Sequence, residues 1–273
     1  MKKNCPFNYA GSKSSYIKLF NIDRPVVDLF GGGGGFWSNV KASEIWVNDI
    51  NTDLINFQRI IYKSNTEEVL EICDKVEKIT SRINDRESFE QLRSKFNENR
   101  NPILFYSLLS TCTNNLIRYN KSNKFNQTWG KRKFNPSMKE NLINFHKRIK
   151  NKRITFTSLH FSDVLPGPDF LYFADPPYLI SSAGYNSIWT EEQELHLYRY
   201  LSTKQFILTN YLTKGDAKNE YLAKFIKEYP FDVLRRGKMM AQKNDNNFTE
   251  ICVYSSVDIQ DSINHNENRL KLF

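Results

Sequence analysis

A chain of 273 residues, 40% apolar and 25% charged, can hold one large domain, or one domain with a substantial insertion, and lies outside the composition of disordered chains. No run of roughly 18 apolar residues occurs and no apolar stretch follows Lys2-Lys3, so neither a membrane span nor a signal peptide is expected. Cys5, Cys73, Cys112 and Cys252 lack paired spacing, which argues against a disulfide framework or a cysteine zinc site and makes a reducing, cytoplasmic setting the expectation.

The formal charge of +9 is concentrated. From Thr113 to Arg153 there are twelve Lys or Arg and one acid, Glu140, so this stretch nets +11 and the rest of the chain is close to neutral. A solvated face would interleave both signs. Dense positive charge on one segment suits a polyanion, because each neutralised phosphate releases counterions.

In chain order, Pro25 to Phe30 reads as a buried strand running into five glycines, with a helix expected beyond them. Ile45 to Asp49 is a second strand, followed by a helix over 51–63. From about Asn65 to Arg153 the sequence is mostly helical and polar: 67–79 and 86–97 are amphipathic, and Asn101-Pro102 breaks the chain before the apolar 103–109. This segment reads as a helical insertion, residues 65–153, carrying a basic hairpin at about 118–135. Residues 1–64 and 154–273 would then form one sheet domain. Further strands are expected at 154–161, 169–177, 205–210 and 251–255. A helix over 190–201 has Thr190 as N-cap and Glu191 and Glu192 in its first turn. The alternation points to a doubly wound α/β sheet.

Asp175-Pro176-Pro177-Tyr178 ends a predicted strand, the place where open α/β sheets bind ligands. Two prolines remove two N–H donors and leave carbonyls. A carboxylate and a carbonyl accepting both N–H bonds of an aromatic amino group would favour pyramidal nitrogen and offset positive charge as a methyl arrives. Tyr178 offers a ring face to a base taken out of the stack. An Asp-capped turn with a packing tyrosine is the bland alternative. The glycine loop after Asp28 lets a cofactor approach the backbone, and no Gly-Lys-Ser/Thr follows to make it a nucleotide P-loop. Asp49, about 20 residues on, suits ribose hydroxyls, and a helix-capping role competes with it.

With these motifs in place the chain resembles the Dam-type, alpha-group DNA adenine-N6 methyltransferases, particularly their phage-encoded members, from about Asn8 to Ser255. The resemblance implies a Rossmann-like sheet that uses S-adenosylmethionine, with a helical recognition insertion carrying a β-hairpin. Tyr9-Ala10-Gly11-Ser12-Lys13 resembles the N-terminal cofactor motif, whose lysine contacts the cofactor. Asp28, Phe30, Gly31, Gly32, Gly33 and Gly34 match the cofactor loop, Asp49 the ribose acid, and Asp163 the acid that holds the cofactor's adenine. Asp175 to Tyr178 match the catalytic tetrapeptide. Asn114, Leu116, Arg118 and Asn120, then Thr128, Trp129, Lys131 and Arg132, resemble the DNA-recognition hairpin, with Arg118 reading a guanine and Lys131 and Arg132 holding phosphates. The resemblance implies a duplex DNA partner, a monomer or weak dimer on DNA, no membrane partner and no metal.

Two positions depart from the family pattern. Thr113 stands where an aromatic wedge is common and Thr128 where proline is usual, so the family's common GATC target carries over less directly than its chemistry. The rivals are an RNA adenine methyltransferase and a silent DNA-binding or antirestriction protein of the same fold. A basic hairpin favours duplex DNA over RNA, whose major groove is too narrow to read. A nicotinamide-dependent oxidoreductase would leave the tetrapeptide and the basic hairpin unexplained.

Overall fold

The computed structural model describes residues 5, 13, 16–180, 189–229, 231–235 and 248–255. Its sheet is built from β1 (Val26–Asp28), β2 (Glu44–Asn48), β3 (Arg153–Thr157), β4 (Leu171–Ala174), β5 (Phe206–Lys214), β7 (Asp232–Arg235) and β8 (Phe248–Ser255), with a short β6 (Ala217–Lys218) paired to β5. The spatial order is β3-β2-β1-β4-β5-β8-β7. The first five strands are parallel, and β8 runs antiparallel between β5 and β7. From β1 the chain moves outward to β2 and β3, then crosses back to β4, so the strand order reverses between β1 and β4. Ligands bind at such a reversal, at the carboxyl ends of the strands.

Strand alternation divides the core. Val26, Leu171, Phe173, Ile207, Cys252 and Tyr254 point into one cluster with α1 (Thr52–Lys63), α2 (Thr66–Ser81), α3 (Arg86–Asn99), α4 (Pro102–Thr111) and α5 (Pro136–Ile149). Val27, Tyr172, Ala174, Phe206, Leu208, Ile251 and Val253 point into the other, against α6 (Glu191–Leu201) and α7 (Glu220–Glu228). Helices on both faces of a mostly parallel sheet give the doubly wound α/β architecture anticipated from the strand–helix alternation.

All of α2, α3 and α4 fall between β2 and β3 in the chain and share a continuous apolar cluster with that face of the sheet. Phe57 of α1 stacks on Tyr106 of α4, ring centroids 4.4 Å apart. Local signals set the helix starts. Asn101 caps α4 with Pro102 in its first turn, and Thr190 and Gln193 form a capping box on α6.

Between α4 and α5 the chain forms a ribbon of two extended limbs. Gly130 N–H donates to Thr111 O (2.8 Å), Thr113 N–H to Thr128 O (2.9 Å), Asn126 N–H to Arg118 O (2.9 Å) and Asn120 N–H to Lys124 O (2.9 Å). The paired backbone therefore spans 111–130. Asn114 and Asn115 enter it in the left-handed region, φ 57° and 55°, which asparagine tolerates better than most residues. A Cβ on Gly130 would lie 2.6 Å from Cys112 O, so the limbs close only on glycine.

The glycine run departs from the sequence expectation. No regular helix follows it: residues 29–43 are turns, with Ser38 N–H on Gly34 O (3.3 Å) closing one helical turn. Consecutive glycines are poor helix formers, and Phe36 and Trp37 are instead buried in the core. Among the described residues no helix is long and apolar enough to cross a membrane.

Candidate active site

Four polar residues share one face at the carboxyl end of the sheet for reasons of parity. Asp28 follows Val26, Asp175 follows Leu171 and Phe173, Thr209 follows Ile207, and Glu250 precedes Cys252 and Tyr254. The antiparallel β8 brings Glu250 opposite Tyr211, at the same end as Asp175.

Asp175 Oδ1 is the hub. It accepts from Tyr178 Oη at 2.8 Å and Thr209 Oγ1 at 2.7 Å, and Lys13 Nζ lies 3.2 Å away. Glu250 Oε1 accepts from the same Tyr178 hydroxyl at 2.9 Å and lies 3.3 Å from the same ammonium. Lys13 Nζ sits 5.1 Å from the centroid of the Tyr178 ring. Tyr178 is 8% exposed, edge-on to Tyr211, so in this arrangement it covers Asp175.

Charge balance follows from burial. Desolvation raises the Asp175 pKa, opposed by Lys13, Thr209 and Tyr178 and reinforced by Glu250. Burial works against the charge on Lys13, but Asp175 and Glu250 outweigh it and hold its pKa above the ordinary lysine value. Asp28 is buried and titrates well above the usual carboxylate range, first from desolvation and then from the nearby Asp175 charge.

Beside this cluster lies the glycine loop. Gly31 N–H donates to Asn48 O at 2.7 Å, and a Cβ there would meet Val47 Cγ1 at 2.6 Å. Asp49 supports the loop, accepting Gly32 N–H on Oδ2 and Asn51 N–H on Oδ1, both at 2.8 Å. Each of its oxygens keeps a lone pair for a further donor. Gly33 O accepts from Cys5 Sγ, and Gly34 O from Ser38 Oγ, both at 2.6 Å.

Across the loop Phe30, Phe161 and Trp189 face one another at centroid distances of 5.6–6.0 Å. Asp163 stands exposed at the end of the 3-10 turn Phe161–Asp163. Trp189 is fixed from behind by Glu194, a fully buried acid satisfied by donors from Trp189, Tyr198, Asn210 and Asn219. Pro176 and Pro177 follow Asp175 just past the end of β4, while Tyr9 and Gly11 lie outside the described residues.

The ribbon residues are distributed differently. Asn114, Arg118, Asn120, Thr128, Lys131 and Arg132 are exposed, and Leu116 and Trp129 half-buried. Arg118 folds onto its own ribbon, Nε on Asn126 Oδ1 (3.0 Å) and Nη2 on Asn126 O (2.7 Å). Asn120 Oδ1 accepts Ser122 and Lys124 N–H and so shapes the turn, and Arg132 reaches Asn115. His146 is buried with Nε2 3.0 Å from Ser64 O, a packing role. Among the described residues no cluster of three or more His, Cys, Asp or Glu is placed to hold a metal.

Sequence reasoning missed Thr209, Trp189, Glu194 and Glu250. The strand expected from sequence begins at Ile251, whereas β8 begins at Phe248 and includes Glu250.

A half-buried carboxylate on a Pro-Pro turn, paired with a lysine, thus stands beside a glycine loop and an acid-supported strand end. The model of the D12 class N6 adenine-specific DNA methyltransferases matches residues 9–261, and the chain belongs to that family. It is similar to the type II methyltransferase M.FokI of Planomicrobium okeanokoites (30% identity over 82% of this chain and 38% of that protein). It is also similar to the modification methylase StsI of Streptococcus sanguinis (31%; 80% and 37%) and the DNA adenine methylase of Escherichia coli K12 (30%; 72% and 75%). The chain spans about two-fifths of the length of the first two.

Proposed function

We propose that this chain transfers a methyl group from S-adenosylmethionine to the N6 amino group of an adenine flipped out of a short duplex DNA site. The observation that carries the reading is the Asp175 carboxylate, held by Lys13, Thr209 and Tyr178 at the strand-order reversal beside the glycine loop.

The residues suit the donor. Asp49 has acceptor capacity for ribose hydroxyls, the glycine loop carries no side chains to bar close backbone approach, and Phe30, Phe161 and Trp189 offer aromatic faces near the exposed Asp163. Bound there, S-adenosylmethionine supplies an electrophilic methyl group on a sulfonium. The chain acts on the base. Asp175 accepts a hydrogen bond from the amino group and offsets the positive charge that develops on nitrogen. Its raised pKa makes it a better acceptor than an exposed aspartate for the proton the nitrogen then loses. Tyr178 must leave Asp175 for the base to reach it, and its ring then stacks on that base.

Residues 65–153 serve in this reading as the target-recognition insertion, with the ribbon entering the major groove. GATC is the proposed target: Arg118 reads a guanine with its fork, and Lys131 and Arg132 contact phosphates. The test is methyl incorporation from labelled S-adenosylmethionine into DNA lacking adenine methylation, against the same DNA premethylated at GATC. Label on the bare DNA alone supports activity and site together. Label on both discards GATC, and label on an RNA duplex instead discards DNA as substrate.

A further inference from the structure

The recognition ribbon is bound along one edge by a helix rather than by another strand. Arg93 and Asn97, one turn apart on α3, and Arg100 at its C-cap line one edge of the ribbon. Their partners are alternate residues of the returning limb. Arg93 Nη1 donates to Gln127 O at 3.2 Å. Asn97 brackets Phe125, Nδ2 donating to its O at 3.0 Å and Oδ1 accepting its N–H at 2.7 Å. Arg100 Nη2 donates to Asn123 O. One helical turn rises about 5.4 Å and two strand residues about 6.6 Å, so stripe and limb stay nearly in step.

At the far end of the stripe the clamp closes on one carboxylate. Asp53 Oδ2 accepts from Arg100 Nη1 and from Tyr119 Oη, both at 2.6 Å. The Arg100 guanidinium lies 5.4 Å from the ring centroids of Tyr119 and Phe96. Asp53 is buried in the first turn of α1, four residues beyond Asp49. Tyr119 turned inward leaves its neighbour Arg118 on the exposed side of the limb.

We propose that Asp53 is a positioning residue for target recognition: through Arg100 and Tyr119 it locks the ribbon, with Arg118 outward, onto the helix that starts beside the cofactor loop. The proposal rests on the methyltransferase reading above. A ribbon locked before DNA arrives loses less conformational freedom on binding, so the effect of Asp53 falls on DNA affinity. Cofactor binding and the chemical step do not depend on it.

The test compares the full chain with Asp53→Asn and the nearly isosteric Tyr119→Phe. It uses steady-state methylation of unmethylated plasmid DNA and amide hydrogen exchange of the free proteins. Asp53→Asn keeps an acceptor oxygen but loses the negative charge that holds Arg100, so it raises KM for DNA about tenfold. KM for S-adenosylmethionine and kcat stay within about twofold, and Tyr119→Phe gives a smaller change of the same kind. Exchange quickens over 113–128 in both variants and is unchanged in the sheet. An unchanged KM for DNA overturns the proposal, as does a loss shared equally by kcat and the cofactor KM. If the wild type labels no DNA, the activity reading fails on its own. Exchange then still decides the point: faster ribbon exchange in the variants supports the clamp, and unchanged exchange overturns it.

Discussion

Thr113 and Thr128 face each other across the recognition ribbon, their hydroxyls 3.0 Å apart and the Thr113 N–H on Thr128 O at 2.9 Å. These are the two positions that the sequence resemblance marks as departing from the family pattern, and they bond directly to each other. Alanine at each position should therefore be non-additive, with a coupling of about 0.5–1 kcal/mol in a denaturation double-mutant cycle. Thr128→Pro should fold, because the Thr128 N–H donates to its neighbour Gln127 Oε1 and not across the ribbon. Additive losses, or an unfolded proline variant, would contradict this pairing.

The Tyr178 hydroxyl and ring have separable tasks. Tyr178→Phe removes the bonds to Asp175 and Glu250 and keeps the stacking face, so kcat should stay within about fivefold, because the hydroxyl has already left Asp175 when the base is bound. Tyr178→Ala should weaken DNA binding tenfold or more, because stacking contributes about 1–3 kcal/mol per base. Steady-state kinetics with varied DNA separates the two, and equal effects would contradict the division.

Lys13 and Glu250 act on Asp175 with opposite signs. Burial raises the Asp175 pKa, Lys13 lowers it and Glu250 raises it, and the carboxylate is the working form. Activity is thus present above that pKa and lost as pH falls through it. Lys13→Met should move the acid limb of kcat, read at saturating cofactor, to higher pH. Glu250→Gln should move it to lower pH. Shifts in the same direction would exclude Asp175 as the titrating group.

Asp28 is kept for its site at a cost in stability. Its native pKa lies well above the unfolded value, so the native state holds the proton more tightly and stability falls as pH rises between the two values. Asp28→Asn should raise Tm at pH 7.5 by about 2–4 °C. The gain should shrink as pH is lowered toward the ordinary carboxylate range, as calorimetry at several pH values would show. A gain independent of pH would contradict the assignment.

The chain order made some of this legible and hid the rest. Asp28, Asp49 and Asp175 end apolar runs, and Thr190 and Asn101-Pro102 carry local cap chemistry, so each is visible in a window of a few residues. Thr209 joins Asp175 because β5 pairs beside β4, and Glu250 because β8 inserts antiparallel beside β5, and periodicity encodes neither pairing. The α3 stripe is hidden for a related reason. Arg93, Asn97 and Arg100 look like solvent-facing residues until the ribbon lies against them. The expected helix after the glycines is absent because consecutive glycines are poor helix formers, and Phe36 and Trp37 are buried from turns instead.

The central claim is that Asp175 directs a methyl group to the adenine amino nitrogen. Its most direct test is to digest DNA treated with the wild type and with Asp175→Asn to nucleosides and identify the methylated base by mass spectrometry. The account predicts N6-methyladenine from the wild type, and at least a hundredfold less from the variant, in line with removing one group that stabilises transition-state charge. Methylcytosine from the wild type, or undiminished N6-methyladenine from Asp175→Asn, would contradict it.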